Sequence, residues 1–216
     1  MEEKAQHVAV IVKRLKKAYP DARSELDFTT PFELMIGSIL AAQNTDKNVN
    51  TVTPELFRKY PAPADYIKVP QEELEIDIYS TGFFRQKAKS IQAVCSRLIE
   101  SFGGTLPQTM DEMLSLPGIG RKTANVVLGS GFGIASGIVV DTHVTRVSSR
   151  LGLTENKLAE KIEKDLLVLV PKKNWIAFGD WLTWHGRRIC QAKKPQCTEC
   201  VLADICPSYP LFVGED

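Results

Sequence analysis

Apolar residues along the chain fall mostly three and four positions apart, and sustained alternation is scarce. That spacing predicts a nearly all-helical protein. Val8, Ile11, Val12 and Leu15 mark a first amphipathic helix, with Pro20 after it. Thr30, Pro31 and Glu33 give the clearest helix start, because a threonine cap, a proline at the first helical position and a glutamate at the third serve the same end. That helix is expected to run to about Ala42. Asp46 is read as the cap of another helix reaching toward Phe57, with Pro61, Pro63 and Pro70 as punctuation after it. Further helices are predicted over 72–78, 86–101, 110–116, 121–128, 143–151, 156–169 and 174–188, with a tight connection around Gly82. The run GIVV before Asp141 is expected to be extended, since Gly137 and its β-branched followers oppose helix.

The chain has 216 residues, 44% of them hydrophobic, enough for one large core or two modest ones. Lys plus Arg number 27 against 26 Asp plus Glu, so a nucleic-acid face would have to arise from arrangement rather than net charge. The weakly polar stretch VLGSGFGIASGIVV, Val127 to Val140, is too short and glycine-rich to span a bilayer. The N-terminus reads as amphipathic helix rather than targeting signal, and an intracellular protein is expected.

Two constellations carry chemistry. Cys190, Cys197, Cys200 and Cys206 place four soft ligands within 17 residues, at separations of seven, three and six. Thiolates at such density in a reducing compartment favour a metal centre over lasting disulfides, and both tetrahedral zinc and a [4Fe-4S] cluster fit the spacing. With all four positions claimed by cysteine, the centre is expected to be structural. Cys95, in the 3–4 periodicity of Ile91, Val94 and Leu98, is expected to be a buried, inert thiol.

The second constellation is LPGIGRKTANVV, in which Pro117, Gly118, Ile119 and Gly120 separate two helical flanks. Glycines leave room for a close backbone approach, and the following helix start adds a positive dipole end, so the turn suits a phosphate oxygen. The plain alternative is a packing corner between two helices. Arg121 can neutralise phosphate, while Lys122 in the first helical turn is a candidate nucleophile in need of a carboxylate. Asp141 in VDTHV is the candidate carboxylate, with an N-cap for the helix that follows as its alternative role.

Together, LPGIGRKTANVV, VDTHVTRV and the four final cysteines resemble the endonuclease III family of DNA base-excision repair enzymes. The resemblance spans essentially the whole chain. It implies an all-α fold of two helical domains flanking a DNA-binding cleft: a six-helix domain over 24–134 that contains the helix-hairpin-helix, and a cluster domain made of 1–23 and 135–216. It implies one [4Fe-4S] cluster per chain on Cys190, Cys197, Cys200 and Cys206, and no catalytic metal. It further implies that Lys122 attacks C1′ of a flipped-out nucleotide and that Asp141 assists, giving a bifunctional glycosylase and abasic-site lyase for oxidised pyrimidines. Gln43 matches the residue that fills the space of the flipped nucleotide, Phe83 the bulky wedge opposite it, and His143 a motif position near Asp141. Damaged double-stranded DNA is the expected partner, with the protein acting as a monomer in the cytoplasm or on the nucleoid of a prokaryote. Mismatch-specific adenine or thymine glycosylases are the nearest rivals, although the adenine enzymes carry a glutamate where this chain has Ser38 and lack the lysine at Lys122. A noncatalytic DNA-binding or cluster-sensing module would leave Lys122 and Asp141 unexplained.

Overall fold

The computed structural model describes residues 2–214, and among them there is no strand. Twelve α-helices follow one another among these residues: α1 (Glu2–Ala18), α2 (Pro31–Leu40), α3 (Asp46–Lys59), α4 (Pro63–Lys68), α5 (Gln71–Asp77), α6 (Phe84–Phe102), α7 (Met110–Leu114), α8 (Arg121–Val126), α9 (Thr142–Arg150), α10 (Ala159–Leu169), α11 (Trp175–Arg188) and α12 (Pro210–Val213). None is long and apolar enough to cross a membrane. The chain divides into two compact units, one of Met1–Arg23 with Gly137–Asp216 and the other of Ser24–Ser136.

The unit 24–136 holds α2 to α8 around a core that includes Leu34, Ile36, Tyr66, Ile91, Leu98 and Leu128. The predicted capping box is present at α2, where Thr30 Oγ1 accepts from Glu33 N (3.2 Å) and the Glu33 carboxylate accepts from Thr30 N (3.2 Å). At α3 the cap is Thr45 rather than Asp46: Thr45 Oγ1 accepts from Asn48 N at 3.2 Å, and Asp46 is the first helical residue. A seventh helix, α4, replaces the punctuation expected around Pro63. Proline at the first helical position forfeits an N–H that has no helical partner anyway, and the Asp65 carboxylate accepts from Ala62 N (3.0 Å). After α8 the helix continues as a π-helical stretch over Val127–Gly131, where an added Cβ on Gly131 would lie 3.1 Å from Pro31 Cβ.

In the other unit, Val8, Ile11 and Leu15 of α1 share a core with Ile138, Val144, Val147, Ile162, Leu166 and Phe178. Helices α9 and α11 run close together at Gly186, where an added Cβ would come within 2.9 Å of His143 Cβ. The GIVV segment is neither helix nor strand, and its Ile138 and Val140 are buried. Helix α1 is tied to the C-terminal loop by Arg14, which donates to Val201 O (3.0 Å) and forms a two-armed ion pair with Asp204.

Candidate functional site

In the unit 24–136 the hairpin between α7 and α8 leaves Pro117, Gly118, Gly120 and Lys122 exposed. Gly118 takes a left-handed backbone, φ +76°, with open space where a Cβ would be. Ile119 differs from its neighbours: its side chain is only 5% exposed, and its N–H donates to Leu116 O (3.2 Å). It anchors the hairpin from the core and offers DNA neither side chain nor N–H. Lys122 follows Gly120, the N-cap of α8, so its side chain leaves the first turn into solvent beside the half-buried Arg121.

Gln43, Phe83, Pro117 and Gly118 line a single open groove in this unit, together with Ser38 and Thr123. Phe83 is 65% exposed, an unusual state for a phenylalanine. Both Gln43 (φ 54°) and Phe83 (φ 48°) sit in the left-handed region, which non-glycine residues rarely occupy without a functional reason. Ser38 turns its hydroxyl back to Leu34 O (2.7 Å), so this wall of the groove presents no carboxylate. Beneath it lies Lys87, a residue the sequence did not single out. Its ammonium is buried and donates to Leu40 O (2.6 Å) and Thr81 O (2.8 Å), and burial lowers its pKa.

In the other unit Asp141 is the N-cap of α9, its Oδ1 accepting from Val144 N at 2.7 Å. The structural role weighed for Asp141 is therefore present, yet Oδ2 remains outside the cap and accepts from Thr183 Oγ1 at 3.5 Å. Neighbouring Asp180 is pushed up to about 7 by burial, with the Asp141 charge adding to the effect. His143 accepts at Nδ1 from Arg146 Nη2 (3.1 Å), and burial leads the lowering of its pKa. Arg146 also donates to Cys190 O (3.1 Å) and Gly186 O (2.9 Å), which fixes the imidazole against the start of the cysteine loop.

The four cysteines of that loop line one largely apolar cavity with Val147 and Leu151. Among the described residues no group of three His, Cys, Asp or Glu is gathered for a single metal ion. Donors approach the sulfurs: Arg150 Nη1 lies 3.3 Å from Cys190 Sγ and Leu202 N 3.4 Å from Cys200 Sγ, with the His185 ring nitrogen Nε2 3.5 Å from the latter. N–H groups aimed at sulfur suit thiolate ligands. Burial, with the other cysteines contributing, pushes the Cys200 thiol up to about 11, a tension that a bound cationic centre relieves. The donor set thus fits a thiolate-bound metal centre. Cys95 is fully buried in the other unit and pushed up to about 12, which leaves it inert.

Residues 36–172 match the model of the HhH-GPD superfamily base excision DNA repair proteins, and 190–206 match the iron-sulfur binding domain of endonuclease III. Endonuclease III of Synechocystis sp. is 50% identical over 208 residues, 96% of this chain and 95% of that protein. Among solved structures, a trapped endonuclease III–DNA covalent intermediate superposes with a TM-score of 0.91 at 44% identity, covering 96% of this chain and 97% of the other. A thermostable thymine-DNA glycosylase follows at a TM-score of 0.87 and 25% identity, over 97% and 98%. With its iron-sulfur binding loop and its helix-hairpin-helix, the chain belongs to the endonuclease III family of base-excision DNA repair enzymes, the DNA glycosylase/abasic-site lyases.

Proposed function

We propose that the protein excises oxidised pyrimidines from duplex DNA and cleaves the resulting abasic site through a lysine Schiff base. The observation that carries the reading is the match, over nearly the whole chain, to an endonuclease III caught in a covalent intermediate with DNA. The exposed Lys122 at the start of α8 is the nucleophile. Its free amine attacks C1′ and the damaged base departs with its bonding electrons, taking up a proton. Opening of the sugar ring then yields an imine between Nζ and C1′. The imine acidifies the C2′ proton. Its removal expels the 3′ phosphate by β-elimination, and hydrolysis of the imine frees the lysine. Asp141 assists this lysine and stabilises the positive charge that develops at the sugar.

The hairpin backbone and Arg121 hold the phosphates without reading sequence, which suits an enzyme that must work wherever damage falls. Gln43 enters the gap left by the flipped nucleotide, where its amide can both donate and accept, and Phe83 stacks on the pairs opened around it. His143, held by Arg146, contributes to the DNA face near Asp141. Cys190, Cys197, Cys200 and Cys206 would hold one [4Fe-4S] cluster, which when bound supplies cross-linking of the loop rather than chemistry at the sugar. The enzyme acts as a monomer in a prokaryotic cytoplasm or on its nucleoid. The serine at 38, with its hydroxyl turned inward, speaks against an adenine-mismatch enzyme.

Borohydride trapping on duplexes containing thymine glycol, an abasic site or a G·T mismatch tests the reading. A covalent band is expected with thymine glycol and the abasic site, and none with Lys122→Ala. Asp141→Asn should slow trapping by two or more orders of magnitude, about 3 kcal/mol of barrier. Trapping or excision confined to the G·T duplex would replace the substrate assignment.

A further inference from the structure

Lys87 is 4% exposed and is held by two main-chain carbonyls, Leu40 O at 2.6 Å and Thr81 O at 2.8 Å. Burying an ammonium costs several kcal/mol unless something specific offsets it, and no charged group contributes to its pKa shift. Its place on its own helix does not help, because it lies in the first turn of α6, where the dipole repels a cation. The offset comes from elsewhere. Leu40 is the last residue of α2, and Thr81 is the last of a single 3-10 turn, Tyr79–Thr81. One cation therefore meets the carbonyl ends of two helices.

Those two ends carry the groove's probes. Gln43 follows Leu40 by three residues and Phe83 follows Thr81 by two, and both have left-handed backbones. Lys87 N also donates to Phe83 O (3.0 Å), closing the first turn behind the wedge. Asn44 Nδ2 donates to the same Thr81 O (2.9 Å), and Asn48 Nδ2 reaches Ser80 O (2.9 Å). Together these bonds tie α6, the Gln43 segment and the start of α3 to the turn that carries Phe83.

We propose that Lys87 is a positioning residue that fixes the spacing of Gln43 and Phe83 across the groove and thereby sets how well the enzyme opens a damaged base pair. The inference rests on the reading that these two side chains probe the duplex. Displacement by an ångström of groups that act together can cost about 100-fold in rate. Loosening the brace penalises the step that needs both probes at once.

The test compares single-turnover rates on a thymine glycol paired with adenine and on an abasic site, which has no pair to open. Lys87→Met should lower the ratio of the two rate constants at least tenfold, and Lys87→Gln, which keeps a donor, should lower it less. Asn44→Ala, on the rim of the network, removes the bond to Thr81 O together with the bonds that Asn44 Oδ1 accepts from Thr45 N and Asn48 Nδ2, and should lower the ratio by a few fold. Circular dichroism and thiolate-cluster absorption report that each variant is folded and loaded; if Lys87→Met fails to fold, the other two variants decide. Equal loss on both substrates, or no loss on either, overturns the inference while Gln43→Ala and Phe83→Ala still lower the ratio. If those two leave the ratio unchanged, the probe reading falls and the inference falls with it.

Discussion

Tyr66 and Lys87 are both buried polar residues with opposite fates. Tyr66 is fully buried among Phe32 and Tyr60, and its hydroxyl has no protein partner among the described residues. Removing an unpaired buried hydroxyl while keeping the ring is neutral or stabilising. Tyr66→Phe should raise stability by up to about 1 kcal/mol, measured by guanidinium denaturation. Asp180 gives a pH signature. Its native carboxyl holds its proton up to about pH 7, whereas in the unfolded chain it lets go near pH 4. Between those values the native state binds more protons than the unfolded one, so this residue makes stability fall as pH rises, by about 1.4 kcal/mol per unit at most. Asp180→Asn should therefore melt higher than the parent at pH 8, with the difference closing toward pH 4. Sequence made Cys95 legible as a buried thiol, since its neighbours lie at helical spacing. It could not expose Lys87, because a lysine in an amphipathic helix reads as solvated and the carbonyls that bury it come from positions 40 and 81. The left-handed backbones of Gln43 and Phe83 carry no local signature either, since tertiary contacts impose them.

At the scale of elements, the capping box at α2 and the two flanks of the hairpin were readable because the responsible residues are neighbours in sequence. The cap of α3 went to Thr45 instead of Asp46, which are adjacent and equally able to cap. Helix α4 was hidden by its prolines, whose effect depends on whether they open a helix or interrupt one. The hairpin itself makes a clean prediction. Gly118 has a left-handed backbone with nothing near its missing Cβ, so Gly118→Ala adds strain and a methyl on an otherwise open face. It should cost about 1–2 kcal/mol of stability. Its DNA affinity, measured by fluorescence anisotropy at fixed salt, should fall by more than this folding loss explains, because the methyl intrudes on the face proposed to meet a phosphate.

Over the whole molecule, the family resemblance supplied the family and its all-helical fold, while the cysteine spacing left both zinc and iron-sulfur open. The match of 190–206 to the iron-sulfur binding domain of endonuclease III carries the iron-sulfur assignment, while the contacts of Arg150, His185 and Leu202 with the sulfurs suit thiolate ligands of either kind. Loss of the cluster should loosen the unit that contains α1 more than the unit 24–136. In hydrogen exchange after iron removal, protection should drop over 190–206 and in α1 near Arg14, whose partners lie in that loop, while α6 stays protected.

The core that joins α1 to residues 138–202 also constrains how the protein is made. A nascent chain emerges from its N-terminus, and compact units complete themselves as their last residue appears. Helix α1 leaves the ribosome before the unit 24–136, yet the partners of Val8, Ile11 and Leu15 from residue 138 onward appear only after the whole of 24–136 has been synthesised. The middle of the chain can fold while its beginning waits. The apolar face of α1 thus stays uncovered while the unit 24–136 is being made, and its packing partners follow that unit in the chain.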